Sequence, residues 1–295
     1  MNRCSLSRRS VAHSLGGVVL VAALTACGSG GGTPGDAGVY DGPDIWAHGR
    51  VSASSGSGQG SPLSGADVVV TVDRNGNGSV DSDEATATTT DSEGRYSLTT
   101  PASHGDRVVV SIRADGYAPQ FRTLHAGPYG EALFDATLAE LEPLTCDAAG
   151  CAIEGRRLVV EGLPEGFGGA AAVFNPVAQA DAFPGGFEER EGAMLISGVF
   201  ASFALTDDSG DPVTSLATPA TVRMSVPADT WGIIVDMDPG TDRIEVPLYS
   251  FDEEAGTWDA DGDGYLVDGD GTLIPESDLA AIRASGAQIV FRLGE

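Results

Sequence analysis

Ala66-Asp67-Val68-Val69-Val70-Thr71-Val72 runs directly into Asp73-Arg74-Asn75-Gly76-Asn77-Gly78-Ser79-Val80-Asp81-Ser82-Asp83-Glu84, and this junction decides the fold class. The first half is rich in β-branched side chains, whose stiff χ1 favours a pleated strand over a helix. The second half packs Asp, Asn and Gly into one stretch, which ends regular structure and forms a turn. The same alternation of short apolar runs and polar breaks continues in both directions. Arg95 to Leu98 (RYSL) and Val108 to Ile112 (VVVSI) are further strand candidates. Beyond them lie Arg157 to Glu161, Ala170 to Phe174, Met194 to Leu205, Ala220 to Val226, Ile244 to Phe251 and Gln288 to Leu293. No window sustains a helical period, and only Pro275 to Ser285, with Ser277 as cap, reads as a short helix. Asp207 to Asp211 and Asp252 to Gly256 read as turns. The expectation is an all-β chain with two β-sandwich-type domains, at 45–140 and 152–295, after an exported leader and a flexible linker.

The leader is read from residues 1–26. Arg3, Arg8 and Arg9 give a positive start, and Leu15 to Leu24 is an apolar run too short to span a bilayer as a helix. Leu24-Thr25-Ala26-Cys27 follows. This tetrad resembles the lipobox of bacterial lipoproteins, which implies cleavage before Cys27 and acyl chains, palmitate among them, on its thiol. Residues 27–44, opening with GSGGGTPGDAG after the cysteine, form the tether. The expected location is the cell envelope, held by lipid. Gly28 rather than aspartate after the anchor points to the outer membrane if the envelope is Gram-negative.

The 295 residues carry a formal charge of −27. All the basic residues are arginine, and three of them lie in the leader. So acidic a surface repels nucleic acid and attracts divalent cations. Of four cysteines, Cys4 lies in the leader and Cys27 takes lipid. Cys146 and Cys151 are left, separated by Asp-Ala-Ala-Gly, and in an oxidising compartment they read as a small-loop disulfide. A zinc pair would need two further ligands, and His48, His104 and His125 have no ligand spacing.

Gly49-Arg50-Val51, Pro62 to Val68, Thr90-Asp91-Ser92-Glu93-Gly94-Arg95-Tyr96-Ser97-Leu98 and Ala114-Asp115-Gly116-Tyr117 occur in that order. Together they resemble the carboxypeptidase regulatory-like domain, a transthyretin-like or immunoglobulin-like sandwich. The resemblance covers about residues 46–139 and implies a noncatalytic spacer or binding module. Within it, Asp73 to Glu84 satisfies the twelve-residue pattern D-x-[DN]-x-[DN]-G-x5-E. Oxygens of Asp73, Asn75, Asn77, Ser79, Asp81 and Glu84 can close around one Ca2+, with Gly78 at the sharp turn. Because a strand leads into it, the loop resembles the EF-hand-like loops of calcium-binding B-type repeats in bacterial surface proteins.

Asp259-Ala260-Asp261-Gly262-Asp263-Gly264-Tyr265-Leu266-Val267-Asp268-Gly269-Asp270 offers a second, weaker set: Asp259, Asp261, Asp263, Tyr265, Asp268 and Asp270. Its last position is an aspartate, shorter than the usual glutamate. A plain Gly/Asp hairpin turn is the competing account. Val246 to Trp258 resembles a stretch found in extracellular β modules, some of the ZU5 type, and implies an interaction module. Trp258 is expected in the core.

No nucleophile elbow, HExxH, P-loop or dinucleotide fingerprint occurs. The sequence therefore predicts a membrane-anchored, calcium-stabilised, noncatalytic interaction or structural protein whose partner is an envelope protein or a glycan. A carbohydrate-binding accessory is the alternative. It requires exposed aromatics on one face, against which the 6% aromatic content counts. A carboxylate-dependent hydrolase is the third class and requires a cleft with two facing acids.

Overall fold

The computed structural model describes residues 18–22, 44–54, 60–74, 84–103, 105–126, 130–183, 197–213, 215–230, 245–253, 257–275 and 288–293. Among these the chain is all-β, and its only helical pieces are two three-residue 3-10 turns at Glu154–Arg156 and Ala180–Ala182. The proposed helix at 275–285 lies outside the described residues apart from Pro275. No described helix is long and apolar enough to cross a membrane.

Strand β1 is Val18–Ala22. The first domain contains β2 (Asp44–Ala53), β3 (Asp67–Val72), β4 (Ala85–Thr89), β5 (Arg95–Pro101), β6 (Arg107–Arg113), β7 (Gln120–His125), β8 (Glu131–Leu133) and β9 (Ala136–Leu138). They form two facing sheets. One has the order β5-β2-β8 with β9 also on β2, and the other is β4-β3-β6-β7. Alternation does the sorting: Ile45, Ala47 and Val51 of β2, Val68, Val70 and Val72 of β3, and Tyr96 and Leu98 of β5 fill one core. Their neighbours turn outward, as a pleated strand with one wet face requires. The turn into β5 is built by Asp91, whose Oδ1 accepts the backbone N–H groups of Glu93 (2.8 Å) and Arg95 (2.9 Å). Those two hydrogen bonds hold its carboxyl below the ordinary carboxylate range.

The second region contains β10 (Glu142–Pro143), β11 (Thr145–Asp147), β12 (Gly150–Ala152), β13 (Leu158–Glu161), β14 (Gly168–Phe174), β15 (Ser197–Thr206), β16 (Ala220–Ser225), β17 (Glu245–Asp252), β18 (Thr257–Val267) and β19 (Gln288–Leu293). With β1 they make one sheet in the order β10-β14-β15-β1-β17-β18-β19-β16-β13-β12-β11. Its two outermost strands, β10 and β11, are joined by a single residue, Leu144. Laid flat, eleven strands would put those edges about 48 Å apart. The sheet must therefore roll until its ends meet, and the core formed by Leu158, Val199, Phe203, Met224, Leu248, Leu266 and Ile289 lies within the roll.

The two domains were expected to break between residues 140 and 152. Instead, Glu142 and Pro143 pair with Ala171 and Ala170, and the cysteine hairpin pairs onto β13. The second unit thus begins before residue 152. Cys146 and Cys151 face each other across the β11–β12 hairpin and are disulfide-bonded.

A third cluster ties the two units together. Ala118, Phe121 and Ala139 from the first pack with Phe174, Phe183, Phe200, Phe251 and Trp258 from the second. Gln120, almost fully buried, donates its amide N–H to the carbonyl of Ala182, and Arg113 pairs with Glu253.

Candidate functional site

The acidic stretch at 73–84 connects β3 to β4, which pair as a hairpin. Valine pairing carries both strands to its base, where the N–H of Val72 donates to the carbonyl of Glu84 (3.1 Å). Glu84 is only 3% exposed, and its Oε1 accepts the N–H of Arg74 at 2.9 Å. The first and twelfth positions of the pattern are thus brought to one neck, with the twelfth carboxylate turned inward. Asn75, Asn77, Ser79 and Asp81 lie outside the described residues, as does Cys27. By the chemistry of its side chains alone, an all-oxygen donor set with three carboxylates suits Ca2+.

The second acidic stretch is not a single loop. Asp259, Asp261 and Asp263 lie on β18, which pairs with β17 and, further on, with β19. Between Ala260 and Asp263 the register slips against β17, and Gly262 takes φ +91°. This is a β-bulge, and it changes which face even-numbered residues occupy. Trp258 falls in the interdomain cluster, whereas Leu266 falls in the core of the roll. Asp268 belongs to a separate tight turn, its Oδ1 accepting the N–H groups of Asp270 (3.0 Å) and Thr272 (2.9 Å). Among the described residues no three His, Cys, Asp or Glu side chains gather as a metal site. All six second-set positions are described, and they lie along a strand, a bulge and a turn. Backbone pairing on both sides of β18 outcompetes a ligand-wrapped loop.

A surface absent from the sequence-level candidates lies on the outer face of β5-β2-β8. Trp46 is 48% exposed. Its ring stacks on His48 with centroids 3.8 Å apart and planes within 19°, and its indole N–H donates to Ser97 Oγ at 2.7 Å. His48 Nε2 in turn lies 2.7 Å from Glu131 Oε1. A depression of about 470 Å³ beside the pair is walled by Arg50, Asp91, Arg95 and Asp135, with Leu133 at its side. Its floor is Tyr96, whose hydroxyl donates to the carbonyl of Phe134 at 2.8 Å. Burial, with Asp135 nearby, pushes that hydroxyl well above its ordinary pKa. The signal for this face was the tetrapeptide Ile45-Trp46-Ala47-His48: the aliphatic residues face the core and both rings face solvent, which inverts the usual preference for burying tryptophan.

No protein-family model matches the sequence, and no curated protein matches it significantly. Three solved structures illustrate the backbone likenesses. Catechol 1,2-dioxygenase from Acinetobacter is 15% identical, with 34% of this chain and 54% of that one covered and a TM-score of 0.27. A 3-chlorocatechol 1,2-dioxygenase from Rhodococcus opacus is 13% identical, with 41% and 73% covered and a TM-score of 0.27. The major pilin SpaD from Corynebacterium diphtheriae is 10% identical, with 79% and 71% covered and a TM-score of 0.25. The chain spans about half the length of the first of these. At such scores the likenesses assign neither activity nor partner.

Proposed function

We propose that this protein is a noncatalytic cell-envelope binding or structural protein, held to a membrane by lipid on Cys27 and stabilised by Ca2+ in its first domain. The neck of the β3–β4 hairpin carries the calcium part. Glu84, at the closing position of a complete twelve-residue oxygen pattern, is buried at the neck where the pattern's two ends meet. Asp73, Asn75, Asn77, Ser79, Asp81 and Glu84 would hold Ca2+ there. An ion that binds only the folded chain at about one hundred times its dissociation constant adds about 2.7 kcal/mol. For a protein of this size that is a rise in melting temperature of about 5–10 °C. Melting the purified protein with millimolar calcium and then with chelator should show this rise, and Glu84→Gln should remove most of it. Equal midpoints with and without the ion would refute the calcium part.

Anchoring follows from the tetrad at 24–27 and is tested separately. Mass spectrometry of the protein extracted from its host should find Cys27 at the amino terminus carrying acyl chains, and Cys27→Ser should move the protein from the membrane to the soluble fraction. A free, unacylated Cys27 thiol would sink this part. Processing also has a structural consequence. It removes β1, which pairs with β15 through Val18↔Ser202 to Ala22↔Ser197 and with β17 through Val19↔Ser250 to Val21↔Leu248. The mature sheet must then close β15 directly onto β17 or carry two open edges there.

A further inference from the structure

We infer that the outer face of β5-β2-β8 is a glycan-binding site in which Trp46 is the stacking platform for a neutral pyranose ring. This rests on the binding-protein part of the function proposed above and is independent of the calcium part.

A sugar ring presents a patch of C–H groups on one side and hydroxyls around its rim. The C–H side prefers the electron-rich face of an aromatic ring, and the hydroxyls need both donors and acceptors close by. Trp46 supplies the face. It is held from behind by the His48 stack and at its nitrogen by Ser97, so little side-chain freedom remains to be lost on binding. The depression beside it supplies the rim chemistry. Among the described residues the Arg50 guanidinium has no carboxylate partner, while Asp135 Oδ1 takes the Arg50 backbone N–H at 2.8 Å and Asp91 is half committed to its own turn. Donors and acceptors therefore stand together around one flat ring.

Other ligand classes fit less well. An apolar peptide or helix needs a continuous hydrophobic strip, but Trp46 and Leu133 are separated by the His48–Glu131 pair. An acidic glycan or a nucleic acid meets a chain of net charge −27. A neutral, hydroxyl-rich ligand avoids that repulsion and still uses both signs of charge in the depression.

The test is titration of the purified full chain with neutral oligomers of glucose, mannose, galactose and N-acetylglucosamine, alongside uronic-acid oligomers as the acidic arm. Binding is read by calorimetry and by tryptophan fluorescence. A neutral oligomer should bind, Trp46→Ala should weaken it by about tenfold or more, and Trp46→Tyr should restore part of the loss. The melting temperature of Trp46→Ala should match that of the wild type, because the ring is half exposed. Chelation of calcium should leave the affinity within about twofold, since the ring is held by Ser97 and His48 rather than by the metal loop. Failure of the calcium proposal would appear only in melting, and failure of this one only in the titrations. No binding by any neutral oligomer, equal binding by Trp46→Ala, or binding of the uronic acids alone would each overturn the inference.

Discussion

Trp258→Ala should cost about 3–5 kcal/mol, the range for removing a fully buried tryptophan side chain. Trp258 has no exposed surface and meets Phe251 edge-on at 5.0 Å and Phe183 at 5.4 Å. Phe251 in turn touches Phe121, which comes from the other domain, at 5.0 Å. The hole left by the indole therefore opens where the two units dock. The midpoint of thermal unfolding should fall by about 6–20 °C. Amide exchange should quicken in β7 as well as in β17 and β18, because all three strands contribute rings to that cluster. Trp258→Phe, which refills part of the space, should lose less. An unchanged midpoint, or faster exchange confined to the second unit, would show that Trp258 does not join the domains.

Gly49→Ala should destabilise the first domain by about 3 kcal/mol, a large effect for one added methyl. Strand β2 pairs in parallel with β8 through Trp46↔Glu131 to His48↔Leu133, and with β9 through Val51↔Ala136 to Ala53↔Leu138. Between the two ladders Phe134 crosses Gly49. A Cβ at Gly49 would lie 1.9 Å from the Phe134 carbonyl oxygen and 3.0 Å from Cε1 of Tyr96. The obstruction is backbone, which cannot rotate aside as a side chain can. That same carbonyl accepts the Tyr96 hydroxyl, so moving it also breaks a buried hydrogen bond. Gly168→Ala is the control: its Cβ would meet nothing within 4 Å, and the change should fall within about 0.5 kcal/mol. Chemical denaturation of both variants decides the matter, and equal losses would show that the crossing at Gly49 is not close-packed.

Several elements were legible in advance because their cause is local. The valine run of β3 and the acidic turn at Asp207 each carry their own conformational preference. The expected strands at Arg157, Ala170, Ala220, Ile244 and Gln288 all match observed strands to within a few residues. Cys146 and Cys151 sit close enough in sequence that a hairpin brings them opposite each other. Missed features depended on partners far along the chain. Asp261-Gly262-Asp263-Gly264 has the composition of an ion-binding loop, yet pairing with β17 and β19 draws it into a strand and leaves only a bulge. Leu144 lies between the two expected domains and joins the two outermost strands of one sheet.

By itself, then, the sequence determined an all-β chain, the turn at Asp207, the burial of Trp258 and the oxygen-rich pattern at 73–84. Tertiary structure alone decided that Trp46 faces solvent, that Phe121 docks the first domain on the second, and that Gly49 lies beneath a crossing backbone. The physical reason is that alternation along a strand fixes two faces but not which one is covered. Covering a face takes a second layer, and that layer is brought by residues distant in sequence whose arrival no local preference encodes.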